Sequence, residues 1–165
     1  MGEITRSWPF DIASSPFTLA IKEPAITGDS LGFKTWGSSY LLALQLPILA
    51  STSLFRFFDE SLGEPRPHVL ELGSGTGLLG LAAAAIWRVR VTMSDLPSIV
   101  PNLAANAAAN SGVLSKRGAS VDVGALTWGG DVDEVDQRLF GTPNQFKVCS
   151  CGHINLTGVS LKRRS

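Results

Sequence analysis

A doubly wound α/β fold around a mainly parallel sheet is predicted by three observations. Apolar, strand-like runs at 68–72, 89–94 and 121–126 alternate with Ala/Leu-rich helical stretches at 78–87 and 99–110, the order that βαβ units with right-handed crossovers produce. The first run leads straight into the glycine-rich segment Gly73-Ser74-Gly75-Thr76-Gly77-Leu78-Leu79-Gly80. The second run ends in the carboxylate Asp95. A glycine turn and an acid at the carboxyl ends of neighbouring strands lie where open parallel sheets bind their ligands.

The elements follow in chain order. Residues 1–34 mix short apolar pieces with Pro9, Pro16, Pro24, Gly28 and Gly32, and Phe17 to Ile21 reads as one strand of a small hairpin, an accessory lid rather than core. From Ser38 the positions Tyr40, Leu41, Leu44, Leu46, Ile48 and Leu49 follow a helical period that Pro47 is expected to kink or divide. A second helical piece is expected over 53–61. Gly63-Glu64-Pro65-Arg66-Pro67 then breaks the chain before the first core strand. Pro97 suits an early helical position ahead of the Ala-rich stretch that runs to Asn110. In that stretch Asn106 and Asn110 share one helix face and read as solvated positions. The organisation expected is an N-terminal extension over 1–62, a cofactor-binding half over 63–147 and a divergent tail over 148–165.

With 165 residues the chain suits one domain that buries roughly two-thirds of its unfolded surface. A 44% hydrophobic, 17% charged composition with zero formal net charge is globular and offers no basic surface for nucleic acid. The most apolar stretch, Tyr40 to Ala50, is too short to span a bilayer and carries Gln45 and Pro47. The expectation is a cytoplasmic protein without a membrane partner, with the nucleus as a second location. Cys149, Cys151 and His153 form a single cluster, whereas a structural zinc site normally pairs two, so no metal is expected. No Ser-His-Asp set or Cys-His pair is spaced for nucleophilic catalysis, and His68 reads as structural.

The glycines carry the chemistry. Gly73, Gly75 and Gly77 permit backbone turns closed to other residues and let a ligand approach the main chain. Dinucleotide sites place a pyrophosphate on the following helix with G-x-G-x-x-G spacing, and the spacing here leaves the cofactor open. Glu71, just ahead of the glycines, repels a pyrophosphate and suits a cationic amino-acid end or ribose hydroxyls. S-adenosylmethionine has an ammonium, a sulfonium and no phosphate. Asp95, about twenty residues past the loop, is placed to accept from both ribose hydroxyls, or to cap the helix that follows. Trp128, after the third strand, and Trp36, before the first long helix, either close a cofactor pocket or simply pack.

Four blocks then stand in register: Thr35-Trp36-Gly37-Ser38-Ser39-Tyr40, Val69 to Gly80, Thr92-Met93-Ser94-Asp95-Leu96-Pro97, and Leu126-Thr127-Trp128-Gly129. In these the chain resembles the class I, seven-strand methyltransferases of the protein-lysine group, methyltransferase family sixteen, Rossmann-like enzymes that modify elongation factors and chaperones. The resemblance implies S-adenosylmethionine as cofactor and a protein substrate. It implies that Gly73, Ser74 and Gly75 surround the methionine part, that Asp95 binds the ribose, and that Trp36 and Trp128 touch the cofactor. It places Glu71 near the methionine ammonium or a bridging water. It names no residue as the base that deprotonates the acceptor.

The resemblance spans roughly residues 17–147. Where the family continues with an acidic fourth strand and a nearby tyrosine, this chain reads Val148-Cys149-Ser150-Cys151. Val148-Cys149 can be encoded by GTATGT, a common fungal intron start, and Leu156-Thr157 can contain a branch-point pattern. The tail is expected to be translated intron, with a frameshift or a genuine short form as alternatives. A sheet halted at that point leaves the central strand an unpaired edge, which predicts poor solubility and weak cofactor binding. A small-molecule N-methyltransferase and a non-catalytic cofactor- or partner-binding module are the competing functional readings.

Overall fold

A computed structural model describes residues 2–12, 15–25, 31–127 and 135–151. The chain opens with an antiparallel hairpin of β1 (Ile4–Phe10) and β2 (Phe17–Glu23), registered from Ile4 opposite Glu23 to Phe10 opposite Phe17. Helix α1 (Gly37–Ser51) and the short α2 (Phe55–Phe58) follow. The α/β body then runs β3 (Val69–Leu72), α3 (Leu78–Trp87), β4 (Arg90–Asp95), α4 (Val100–Ala109), α5 (Ser111–Lys116), β5 (Ser120–Ala125), α6 (Gln137–Phe140) and β6 (Val148–Cys151).

The strands of the body form a four-stranded sheet in the order β5-β4-β3-β6, with every neighbouring pair parallel. This is the predicted α/β architecture. The chain passes from β3 outward to β4 and β5 and returns to the other side of β3 through β6, so the strand order reverses beside β3, and the loop that follows β3 opens at that crevice. Val148–Cys151, assigned to the tail from sequence, supplies the strand next to β3. Among the described residues, β6 is the outermost strand on that side.

Helix α3 is apolar nearly all round, with Leu78 to Ala85 and Trp87 buried. Such a helix needs cover on several sides. The sheet supplies one and α1 another: Ala43 and Leu46 are buried, and the Trp87 indole N–H donates to the Leu46 carbonyl at 2.9 Å. Pro47 does not divide α1, which runs unbroken through it, and the packing of Ala43 and Leu46 on α3 accounts for its continuity. Helix α2 is shorter than expected because the chain turns at Asp59, whose carboxylate accepts from the Ser61 N–H at 2.9 Å. Pro97 lies in the turn ahead of α4; Pro101 occupies the first turn instead.

The hairpin is not a lid outside the core. Phe10, Leu19 and Ile21 are at most 1% exposed and join Val69, Leu81 and Leu103 in one cluster. Its attachment overturns the reading of Asn106 and Asn110 as solvated positions: both are buried and hydrogen-bonded to the main chain of β2. Arg117 adds a further tie, donating to the carbonyls of Ala85 and Ser15 with its guanidinium over the Phe17 ring at 4.5 Å.

Candidate functional site

The loop after β3 is built from glycines that adopt left-handed backbone angles: φ is 65° at Gly73, 56° at Gly75 and 87° at Gly77. Side-chain-bearing residues resist that region. Ser74 docks the loop on β4, its N–H donating to the Ser94 carbonyl at 2.9 Å while its hydroxyl accepts from the Ser94 N–H at 3.2 Å. The Gly77 N–H closes the turn on the Ser74 carbonyl at 2.8 Å. A Cβ placed on Gly73 would meet nothing within 4 Å, so the main chain there borders open space.

Asp95 ends β4 and turns to the same loop. Its Oδ2 accepts from the Gly75 N–H at 2.7 Å and its Oδ1 from the Leu96 N–H at 2.7 Å. Each carboxylate oxygen retains a lone pair, which leaves two acceptors side by side. Asp95 does not cap α4, whose N-cap position is Ile99.

Glu71 is 2% exposed, and its Oε2 is buried without a hydrogen-bond partner. Gly80, one turn into α3, makes room for it: a Cβ there would stand 2.3 Å from Oε2 and 2.7 Å from Met93 Sδ. Burial pushes the Glu71 carboxyl up to about 7, with the Asp95 charge adding to the rise and Ser74 and the Gly80 amide opposing it. A buried acid with one oxygen unmet is costly, and groups so perturbed cluster at functional sites.

The N-terminal extension reaches the loop from the other side. The hydroxyls of Thr35 and Thr76 lie 2.8 Å apart in a buried contact, the Thr35 N–H donates to Glu23 at 3.2 Å, and the Gly32 carbonyl would be 3.2 Å from a Cβ on Gly75. Asn106 donates to the Thr76 carbonyl at 2.9 Å. Trp36 follows Thr35 directly, 52% exposed, with the Lys34 ammonium 5.8 Å from its ring centroid. The structure thus gathers Glu71, Gly73, Ser74, Gly75 and Asp95, and carries Trp36 on a segment joined to them. Trp128 lies outside the described residues, as does His153. His68 packs on Phe146 and hydrogen-bonds Thr92 at 2.8 Å, away from the loop.

Thr35, Thr76 and Asn106 were not singled out from sequence as site residues. The available signal was an asparagine pair one helical turn apart in an otherwise Ala-rich helix. The donor set suits a ligand with a cationic end, for the unmet Glu71 Oε2, and a hydroxyl pair, for Asp95.

The sequence profile of the lysine methyltransferase family matches residues 14–140. The chain belongs to the lysine methyltransferase family. It is 33% identical over 150 residues to protein-lysine N-methyltransferase EFM2 of Saccharomyces cerevisiae, covering 84% of this chain and 34% of that protein. With protein-lysine N-methyltransferase rrg1 of Schizosaccharomyces pombe the identity is 37% over 124 residues, 75% of this chain and 37% of the relative. Protein N-lysine methyltransferase METTL21A of Danio rerio is 40% identical over 66 residues, 40% of this chain and 29% of its own. The chain spans about a third of the length of the relatives it matches. Lysine methyltransferases of this family depend on S-adenosylmethionine, a cofactor with the cationic end and ribose diol that this donor set suits.

Proposed function

We propose that this chain holds S-adenosylmethionine as part of a methyltransferase whose acceptor is a lysine side chain of a protein. The observation that carries the reading is the pair of acids flanking one glycine loop, Glu71 with its unpartnered Oε2 before it and Asp95 bonded to the Gly75 N–H. The first repels the pyrophosphate of a dinucleotide and favours an ammonium. The second offers acceptors to two ribose hydroxyls.

In this reading Gly73, Ser74 and Gly75 present main chain to the methionine part, Asp95 orients the ribose, and Trp36 closes the site from the N-terminal side, with Trp128 the second cofactor-contacting tryptophan that the family resemblance implies. The chemistry available from bound S-adenosylmethionine is donation of a methyl group from a positively charged sulfur. The chain's own contribution is positioning and exclusion of water. The acceptor amine has to be neutral to react, and no side chain is assigned the removal of its proton. Elongation factors and chaperones, the acceptors implied by the sequence resemblance, are the first substrates to try.

Titration calorimetry of the chain with S-adenosylmethionine and, separately, NAD+ tests the cofactor: heat with the first and none with the second is expected, and the reverse overturns the proposal. Incubation with methyl-labelled cofactor and a protein extract tests the acceptor. Label recovered on lysine supports the reading; label on a small molecule transfers the chain to the other N-methyltransferases, and binding without transfer leaves a non-catalytic module.

A further inference from the structure

We infer that Asn106 is a positioning residue for the glycine loop, so that the docked hairpin forms part of the cofactor site; the inference rests on the reading of that loop given above. Asn106 and Asn110 lie four residues apart on α4, about 6 Å along its axis. Ala20 and Lys22 lie two residues apart on β2, a step of about 6.8 Å. The near match lets two carboxamides serve β2 as a neighbouring strand would. Asn110 accepts from the Ala20 N–H at 2.9 Å and donates to the Ala20 carbonyl at 2.8 Å. Asn106 does the same for Lys22, at 2.9 and 3.1 Å.

The two differ in the donor each has left. Asn110 gives its second N–H to the Asn106 carbonyl at 2.8 Å, inside its own helix. Asn106 gives its second N–H to the Thr76 carbonyl at 2.9 Å, on the glycine loop. Besides its own turn bond, from the Gly77 N–H to the Ser74 carbonyl, the segment from Gly75 to Gly77 is held from outside the loop at three points: the Gly75 N–H on Asp95, the Thr76 hydroxyl on Thr35 and the Thr76 carbonyl on Asn106. Two of these restraints are tied to the hairpin, since Thr35 is also bonded to Glu23 and Asn106 to the main chain of Lys22, both on β2. Glycine backbone is otherwise the most mobile that a chain can offer, and a loop that must present its main chain to a ligand gains affinity from being fixed beforehand. Asn106 itself is 1% exposed, so it acts through the loop and not by touching the ligand.

Asn110 is the internal control, because it fastens the same strand without reaching the loop. In the full chain, Asn106→Ala and Asn110→Ala are expected to lower the melting temperature by similar amounts. Only Asn106→Ala is expected to weaken S-adenosylmethionine binding, by about tenfold in calorimetry. Hydrogen exchange gives a readout independent of the cofactor: the Gly75 and Gly77 amides exchange about tenfold faster in Asn106→Ala and keep wild-type rates in Asn110→Ala. Thr35→Val, which removes one hydroxyl and keeps the volume, gives the same signature at smaller amplitude and carries the test where Asn106→Ala does not fold. Equal loop exchange in the two asparagine variants, or wild-type exchange in Thr35→Val, overturns the inference. If the wild-type chain binds no S-adenosylmethionine, the cofactor reading fails while the exchange comparison still decides the role of Asn106.

Discussion

The asparagine clamp and the floor of the glycine loop are buried alike and finished differently. Asn106 is 1% exposed, Asn110 2% and Glu71 2%. Both amide hydrogens of each asparagine have acceptors, and each carboxamide oxygen has a donor, whereas Glu71 Oε2 has none. Interiors rarely leave a polar group unmet. Where every group is met, burial builds the fold. Where one is left open beside a glycine loop, the proposed function has a ligand meet it.

The largest effect tests the closed half of the contrast. Asn110→Ala removes three hydrogen bonds and leaves the part-buried Ala20 amide and carbonyl without a partner, so a loss of about 4 kcal/mol is expected in urea unfolding. A loss near the size of a surface substitution would show that water replaces the carboxamide at no cost. The clamp would then be no different in kind from the solvated pair read from sequence.

Glu71 tests the open half. Its carboxyl is raised to about 7 by burial, while in the unfolded chain it titrates near the ordinary value of about 4.3. Between those values the folded state holds a proton that the unfolded state has released, so stability falls as pH rises through the window and is flat above it. The fall attributable to this group is about 4 kcal/mol over the whole window and about 3 kcal/mol of it lies above pH 5, and Glu71→Gln is expected to remove that part from a series of unfolding curves taken between pH 5 and 8. A cationic end placed beside Glu71 reverses the preference, because it favours the carboxylate. S-adenosylmethionine affinity is then expected to rise with pH up to about 7 in the wild type and to stay level in Glu71→Gln. An unchanged slope in the variant would locate the titration elsewhere.

These two regions were unequally legible in the sequence. The loop, its flanking strands and Asp95 lie within a short span, and their pattern of apolar run, glycine and acid is local, so β3, α3 and β4 fall within a residue or so of their predicted bounds. The clamp joins residues 84 and 90 positions apart. An asparagine on a helix looks the same in sequence whether water or a distant strand satisfies it. The burial of the hairpin is hidden for the same reason, since β2 packs on α3 and α4 and Phe10 packs on Tyr40 of α1. Strand β6 was hidden by a different cause: Val148-Cys149-Ser150-Cys151 departs from the family's pattern, and parallel pairing with β3 asks only for an extended segment with an inward Val148, 2% exposed.

The smallest effect on stability is expected at Trp36, and it separates the two halves most finely. The ring is 52% exposed, so its truncation costs the fold little, under about 1 kcal/mol. Its neighbour Thr35 is buried and anchored to Thr76, and the extended backbone at Trp36 turns successive side chains to opposite sides. The indole is therefore carried next to an anchored residue while staying half-exposed, and in the proposed function it stacks on a planar ligand group. In Trp36→Ala, a melting temperature within a few degrees of wild type and a several-fold weaker S-adenosylmethionine titration are expected. Thr35→Val loosens the loop without removing the ring, and Trp36→Ala removes the ring without loosening the loop, so amide exchange at Gly75 and Gly77 rises in the first and not in the second. Affinity unchanged in Trp36→Ala would confine the site to the loop, Glu71 and Asp95.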